Sequence, residues 1–119
     1  MKAFIDANLL IYLNTLRDRS ILDMFENFLE ELLSKYILFT NVLVLDEVMY
    51  VSKRRYKVPY NITIELLNNL IPKYINITPL TIKEYSRAVE IIKQYNLKPS
   101  DALHIATCIT NNIESVSYT

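Results

Sequence analysis

The sequence predicts a single α/β domain over residues 1–119, built on a central parallel sheet of about four strands with helices on both faces. Short apolar runs alternate with longer stretches in which apolar residues recur every three or four positions, a pattern typical of strands separated by helices. Strands joined by helices lie parallel and are covered on both faces. A chain of 119 residues, 51% hydrophobic and 22% charged, supplies enough apolar surface for one such core.

The first half of the chain contains two predicted units in which a strand is followed by helices. Their elements are a strand at 2–6, a helix from 7 to about 16, an amphipathic helix over 21–33, a strand at 36–40 and a helix over 42–55. Ser20 is the candidate N-cap of the amphipathic helix. Thr40 and Asn41 offer capping side chains to the helix that follows them.

The second half of the chain is predicted to contain three helices and two strands. These are a helix over about 62–71, a strand at 74–78, a helix that ends near 95, a helix over 99–112 and a last strand over 113–118. Pro72 stops the first of these helices, and Pro99 starts the last. Asn96 is the expected left-handed cap between them.

The composition excludes several classes of chemistry. The chain contains no glycine, and phosphate-binding loops, dinucleotide-binding turns and nucleophile elbows all need glycine where the backbone meets a ligand or turns sharply. One histidine and one cysteine cannot form a zinc finger or an internal disulfide. Cys108 is therefore expected to be a reduced, buried thiol, and any bound metal must be held mainly by oxygen.

The short apolar runs predict a cytoplasmic protein without a membrane segment, and the balanced charge predicts no general attraction to nucleic acid. Thirteen basic and thirteen acidic side chains cancel, so a nucleic-acid partner would have to bind a local patch. The only dense basic run contains Lys53, Arg54 and Arg55, which could contact RNA phosphates. The alternative is a solvated helix end whose cations complement the helix dipole. Apolar runs are short, and charged residues interrupt the N-terminal one.

Three carboxylates are placed where the ligand crevice of a parallel sheet is expected, beyond the carboxyl ends of the strands. Asp6 ends the first strand among apolar neighbours, although it could also cap the following helix. Asp101 opens the last helix, where it could simply complement the dipole. Between Asp46 and Glu47, periodicity does not decide which faces the crevice, and one of them should be exposed.

A cluster of these carboxylates would need a counter-charge. Three converging carboxylates repel one another unless a divalent cation neutralises them, and oxygen ligands are those preferred by Mg²⁺ or Mn²⁺. The sequence therefore predicts a site for one of these two cations. His104, one turn after Asp101, is expected to support this site or lie on the helix face rather than bind the cation.

Three motifs in order resemble those of the PIN domain family, and the likeness spans nearly the whole chain. They lie at residues 4–12 (FIDANLLIY), 45–48 (LDEV) and 100–107 (SDALHIAT). The chain is most similar to the small prokaryotic PIN proteins of the VapC type. The resemblance implies a metal-dependent endoribonuclease with Asp6, Glu47 and Asp101 as catalytic metal ligands. It favours Glu47 over Asp46, and it suggests that Asn8 orients Asp6. The alternative for Asn8 is a turn-forming asparagine at the start of a helix.

The same resemblance implies the partners of the chain. These are an RNA substrate, a VapB-type antitoxin and a second copy of the chain in a homodimer. One feature departs from the family pattern, because the fourth acidic residue that normally follows the last strand is absent. We therefore expect either an incomplete C-terminal end or a partial metal site. A non-catalytic PIN-like module that binds RNA or protein is the alternative function.

Overall fold

The computed structural model describes residues 1–113 of the chain. Within this range the elements are β1 (Lys2–Phe4), α1 (Ala7–Thr15), α2 (Arg19–Lys35), β2 (Ile37–Asn41), α3 (Val42–Tyr56), α4 (Tyr60–Leu70), β3 (Ile75–Thr78), α5 (Ile82–Tyr95) and α6 (Pro99–Thr110). Each of these elements was predicted from the sequence. The predicted last strand at 113–118 lies, apart from Ile113, outside the described residues.

The described strands form one parallel sheet in the order β1-β2-β3. Phe4 pairs with Phe39, and Thr40 pairs with Ile77. Residues 3–5, which are the last two residues of β1 and the one that follows, are at most 2% exposed. Because neighbouring side chains of a strand point to opposite faces, the sheet is covered on both faces at β1. This confirms the predicted α/β class.

The core has a main part and a smaller one. The main part packs α1, α2 and α3 on the sheet and includes Leu10, Leu38 and Val48. The smaller part lies between α5 and α6 and is built on Ala88, Ile91, Ala102 and Ala106. Alanine at the contact lets two helix backbones approach closely, so α5 and α6 form a tight helical pair. Burial raises the pKa of the Cys108 thiol to about 11, as expected of an unreactive buried cysteine.

A buried polar network joins α1, α3 and α4. The side-chain amide of Asn14 donates hydrogen bonds to Ser52 Oγ at 2.9 Å and to Thr63 Oγ1 at 2.7 Å. Ser52 and Thr63 are fully buried, and Asn14 is nearly so. Buried polar groups of this kind are stabilising only while each keeps its partner. The three side chains therefore fix how α3 and α4 pack against α1.

Two helix starts differ from the prediction, whereas one helix end agrees with it. Ser20 is not the N-cap of α2: Asp18 caps this helix, and its carboxylate accepts from the backbone N–H groups of Ser20 and Ile21. Asp18 is as good a cap as serine, and it lies close enough to reach these donors. Helix α4 begins at Tyr60, two residues early, after Pro59. Asn96 is left-handed, with φ 53°, as predicted.

Glu84 is a buried carboxylate that ties the start of α5 to the end of α6. Its Oε1 accepts from Thr81 N at 2.8 Å and Thr81 Oγ1 at 2.7 Å, and its Oε2 accepts from Thr110 Oγ1 at 2.6 Å. The hydroxyl groups of Thr110 and Thr81 stabilise the charged form and lower the pKa of Glu84 from 4.5 to about 2. The ionised form is therefore the one that stabilises the helical pair.

We expect Glu84→Gln to lower the free energy of unfolding by about 2 kcal/mol near neutral pH, because it weakens a helix cap and a buried charged hydrogen bond. The folded pKa lies below the unfolded value, so the difference from wild type is complete above pH 4.5 and shrinks as the pH falls toward about 2. Urea unfolding at several pH values measures this difference.

The matched control for this prediction is Glu90→Gln on the same helix. Glu90 is exposed and pairs with Arg87 at 2.7 Å, so its loss should cost about 0.5 kcal/mol or less. Equal costs for the two variants, or a Glu84 effect that does not change with pH, would contradict the assigned role of Glu84.

Candidate functional site

Asp6 lies directly beyond β1, at the carboxyl edge of the sheet. It is the N-cap of α1, and its Oδ1 accepts a hydrogen bond from Ala7 N at 2.7 Å. The capping interpretation is thus confirmed. It is compatible with a ligand role because a carboxylate has two oxygens and about four acceptor positions. The cap also holds the carboxylate in one place, since the side chain is tied to its own helix.

Helix α6 places His104 against Asp6. The Nε2 atom of His104 lies 4.0 Å from Asp6 Oδ1, and the imidazole ring packs on Phe4 with 5.3 Å between the ring centroids. The Nδ1 atom lies 3.4 Å from the side-chain Nδ2 of Asn41. The amide N–H can donate to Nδ1 only in the tautomer that carries its proton on Nε2, toward Asp6. His104 therefore connects Asp6 to the end of β2.

Polar side chains at the strand ends hold this edge of the sheet together. Thr40 Oγ1 donates to the Ile5 carbonyl at 2.9 Å, and Thr78 Oγ1 donates to the Thr40 carbonyl at 3.1 Å. Asn41 caps α3 through Val44 N and also donates to Thr107 on α6. The sequence predicts a capping role for Asn41 but no role for Thr78 or Thr107. Their signal was weak, namely a threonine at the end of a strand and one on a helix face.

Asp101 lies in the first turn of α6, three residues before His104. Residues three apart lie on the same side of a helix and about 4.5 Å apart along its axis. Asp101 is exposed, so its carboxylate is solvated in this structure. The contact of His104 with Asp6 nevertheless brings the N-terminal end of α6 to the edge at which Asp6 lies.

Glu47 and Asp46 are both exposed on α3, so burial does not separate them. A groove beside α3 does separate them, because Glu47 lines this groove and Asp46 is not among its lining residues. Asn8, the second residue of α1, lines the same groove and is also exposed. Glu47 is thereby placed beside the start of the helix that Asp6 caps.

The basic run at the end of α3 divides into two parts. Arg54 and Arg55 line the groove that contains Glu47. Lys53 Nζ instead lies 4.8 Å from the ring centroid of Tyr60 on α4. The three cations of the basic run therefore differ in position, and two of them line the groove that contains Glu47.

The candidate ligands suit a hard cation by chemistry, since Asp6, Glu47 and Asp101 offer only carboxylate oxygens. They are not gathered into a ready-made cluster: over residues 1–113, no group of three or more His, Cys, Asp or Glu side chains is positioned to hold a metal ion. Glu47 and Asp101 are both exposed. Within the same residues, no helix is long and apolar enough to cross a membrane.

A single α/β domain with a parallel sheet and a carboxylate beyond the end of β1 is the class of protein that the structure defines. The model of the PIN domain family matches residues 3–118, and the chain belongs to this family. The resemblance found in the three motifs is thus confirmed. A comparison with curated protein sequences finds no match.

Eleven chains of known structure match the fold. A toxin–antitoxin complex from Klebsiella pneumoniae is 24% identical, with a TM-score of 0.70 over 96% of this chain and 83% of that one. VapC20 of Mycobacterium tuberculosis, a toxin that cleaves the sarcin–ricin loop, is 15% identical, with a TM-score of 0.76 over 99% and 90%. VapBC2 from Rickettsia felis, bound to a DNA fragment from its promoter, is 22% identical, with a TM-score of 0.69 over 100% and 89%.

Proposed function

We propose that this chain is a divalent-metal-dependent endoribonuclease and the toxin of a toxin–antitoxin pair. The observation that carries the proposal is the position of Asp6 in a PIN-family chain. Its carboxylate is fixed beyond β1 by the Ala7 amide and has His104 of α6 beside it. The structural likeness to VapC toxins and toxin–antitoxin complexes supports the biological role.

In this proposal Asp6, Glu47 and Asp101 hold Mg²⁺ or Mn²⁺. When bound, the cation would stabilise charge on the phosphodiester and make a water molecule more acidic. Asp6 anchors the site because its helix cap limits its motion. Exposed Glu47 and Asp101 would supply the other carboxylate oxygens, and Asn8 orients Asp6.

The proposed partners follow from the same family and from the neighbouring structures. They are an RNA substrate, a VapB-type antitoxin and a second copy of the chain, all in the cytoplasm. Exposed apolar side chains support association: Ile105 and Ile109 on α6 and Tyr95 on α5 are each at least 40% exposed.

Light scattering should give the mass of two chains, and a single-chain mass at tens of micromolar would contradict the dimer.

The test of the proposed function is cleavage of RNA under controlled metal. Purified chain, freed of metal with EDTA, should leave a labelled RNA intact and should cut it when Mn²⁺ or Mg²⁺ is restored. Ca²⁺ at the same concentration is the control for charge screening. Cleavage that persists in excess EDTA would contradict metal dependence, and absence of cleavage with every cation would favour the alternative function.

A non-catalytic module that binds RNA or protein is the second candidate. The observation in its favour is that Asp6, Glu47 and Asp101 do not form a cluster within residues 1–113. Such a module would bind RNA with the same affinity whether or not a divalent cation is present, and it would not cut the RNA.

The groove predicts that Glu47, not Asp46, is the ligand on α3. We expect Glu47→Gln to lower the rate of RNA cleavage about 100-fold, because it removes one charged ligand from the site. Asp46→Asn should change the rate by less than about twofold, since Asp46 is a solvated neighbour. Single-turnover cleavage at fixed Mn²⁺ compares the two variants. A larger loss with Asp46→Asn would reverse the assignment.

A further inference from the structure

The groove beside Glu47 contains more than a carboxylate. It measures about 280 Å³, close to the lower end of the size range of small-ligand pockets, which is about 300 Å³. Tyr50, Arg54 and Arg55 line it together with Glu47. They follow Glu47 by three, seven and eight positions, so all four lie on one face of α3. The groove thus combines an aromatic ring and two cations with a proposed metal ligand.

Tyr50 lines the groove next to Arg54, which contacts both its hydroxyl and its ring. The residue is 52% exposed, although its ring is large and mostly apolar. Arg54 Nη1 donates a hydrogen bond to the Tyr50 hydroxyl at 2.8 Å, and its guanidinium lies 5.8 Å from the ring centroid. The two side chains therefore contact each other at the surface, and about half of Tyr50 stays accessible to a planar ligand.

The guanidinium groups beside the ring retain donors for an anion. Over residues 1–113, neither Arg54 nor Arg55 lies within 4.0 Å of a carboxylate oxygen. Arg54 uses one of its five N–H donors on Tyr50. The remaining donors suit phosphate oxygens, which guanidinium groups bind in a forked geometry.

We propose that Tyr50, Arg54 and Arg55 form a nucleotide subsite of the RNA groove, in which the Tyr50 ring stacks on a base and the two arginines bind adjacent phosphates. The identity of the ligand as RNA rests on the proposed ribonuclease function. The subsite lies beside Glu47, so it would hold the RNA strand next to the metal site. Tyr50 is a positioning residue here, because it touches the substrate away from the reacting phosphate.

Single-stranded RNA matches this groove better than an acidic peptide does. RNA alternates planar bases with phosphates, and a ring beside two cations can satisfy both parts at once. An acidic segment of an antitoxin could pair with the arginines, but it would leave the Tyr50 ring without a stacking partner. The two ligands are therefore distinguished by whether removal of the Tyr50 ring alone weakens their binding.

The test is the affinity of the full chain for a short fluorescein-labelled single-stranded RNA in EDTA, measured by anisotropy at several salt concentrations. Tyr50→Ala should weaken binding about tenfold at every salt concentration, because it removes a base stack without removing charge. Tyr50→Phe keeps the ring and should bind within about twofold of wild type. Arg54→Ala should weaken binding and reduce the slope of log affinity against log salt by about 0.7.

Lys53→Ala is the matched control, since Lys53 is the neighbouring cation and lies over Tyr60 instead of in the groove. It should change the affinity by less than about twofold. Equal losses for Lys53→Ala and Arg54→Ala would show a diffuse charge effect and overturn the subsite. Wild-type affinity for the RNA in Tyr50→Ala would also overturn it.

Failure of the subsite and failure of the proposed function give different results. The binding measurement is made in EDTA, so it does not depend on catalysis. If the chain cuts RNA with Mn²⁺ while Tyr50→Ala binds and cuts like wild type, the nuclease function is supported and the subsite is contradicted. If the variants show the expected binding pattern but no cation supports cleavage, the RNA subsite is supported and the nuclease function is contradicted.

Discussion

Replacing Asp6 or Asp101 by asparagine should lower RNA cleavage on the order of 1000-fold, equivalent to about 4 kcal/mol of transition-state stabilisation. Each substitution is nearly isosteric and removes the charge that a divalent cation needs. The expected loss is therefore chemical and does not require a change of fold. Single-turnover cleavage of a labelled RNA in Mn²⁺, with circular dichroism of each variant, measures both properties.

The structure supplies a matched control for the Asp6 variant. Asparagine caps a helix as well as aspartate does, so Asp6→Asn should keep the hydrogen bond from Ala7 N and the start of α1. Asp18 caps α2 in the same way, and Asp18→Asn should leave cleavage unchanged. Substantial cleavage by both Asp6→Asn and Asp101→Asn would rule out the proposed site. So would a comparable loss in Asp18→Asn, because the effect would then follow the loss of charge at any helix cap and not the position of Asp6.

Replacing Asn14 by alanine should have the largest effect on stability, lowering the free energy of unfolding by about 3 kcal/mol. The substitution removes the donor to Ser52 and Thr63, both fully buried, and opens a small cavity. Asn69→Ala on α4 is the control, since Asn69 is exposed and should cost well under about 1 kcal/mol. Urea unfolding of the three proteins measures the difference.

A triple substitution separates unsatisfied polar groups from lost packing. Asn14→Leu with Ser52→Ala and Thr63→Val replaces the whole network by apolar side chains of similar shape. It should recover most of the stability that Asn14→Ala loses, because no buried polar group is left without a partner. A triple variant less stable than Asn14→Ala would show that the hydrogen bonds themselves, and not their satisfaction, dominate the contribution.

The elements of the fold could be predicted because each one depends on local signals. Apolar periodicity gave the helices, and Asn96 was recognisable as a left-handed cap because asparagine tolerates positive φ. The prediction that Ser20 caps α2 is wrong, because Asp18 is the observed cap. Both residue types are good caps, and only the backbone conformation at the start of the helix selects between them. Glu84 was overlooked although Thr81 and Glu84 have the spacing of a capping box, a signal that was present in the sequence.

The candidate site was predictable in part. Asp6 could be found because a carboxylate directly after an apolar strand has few explanations, and α6 indeed lies against it through His104. Periodicity could not decide which of Glu47 and Asp46 faces the candidate site, since both are exposed. Only the groove beside α3 distinguishes them. Separating Arg54 from Lys53 was possible in principle, because Arg54 lies seven residues from Glu47 and so on the same helix face.

The most direct test of the proposed metal site is Mn²⁺ binding by the wild-type chain, followed by electron paramagnetic resonance of the free ion. We expect saturable binding that is lost in Asp6→Asn and Asp101→Asn, weakened in Glu47→Gln and unchanged in Asp46→Asn, because only the first three side chains are proposed ligands. Equal Mn²⁺ binding by wild type and Asp6→Asn would contradict the proposal that this carboxyl edge of the sheet holds the cation.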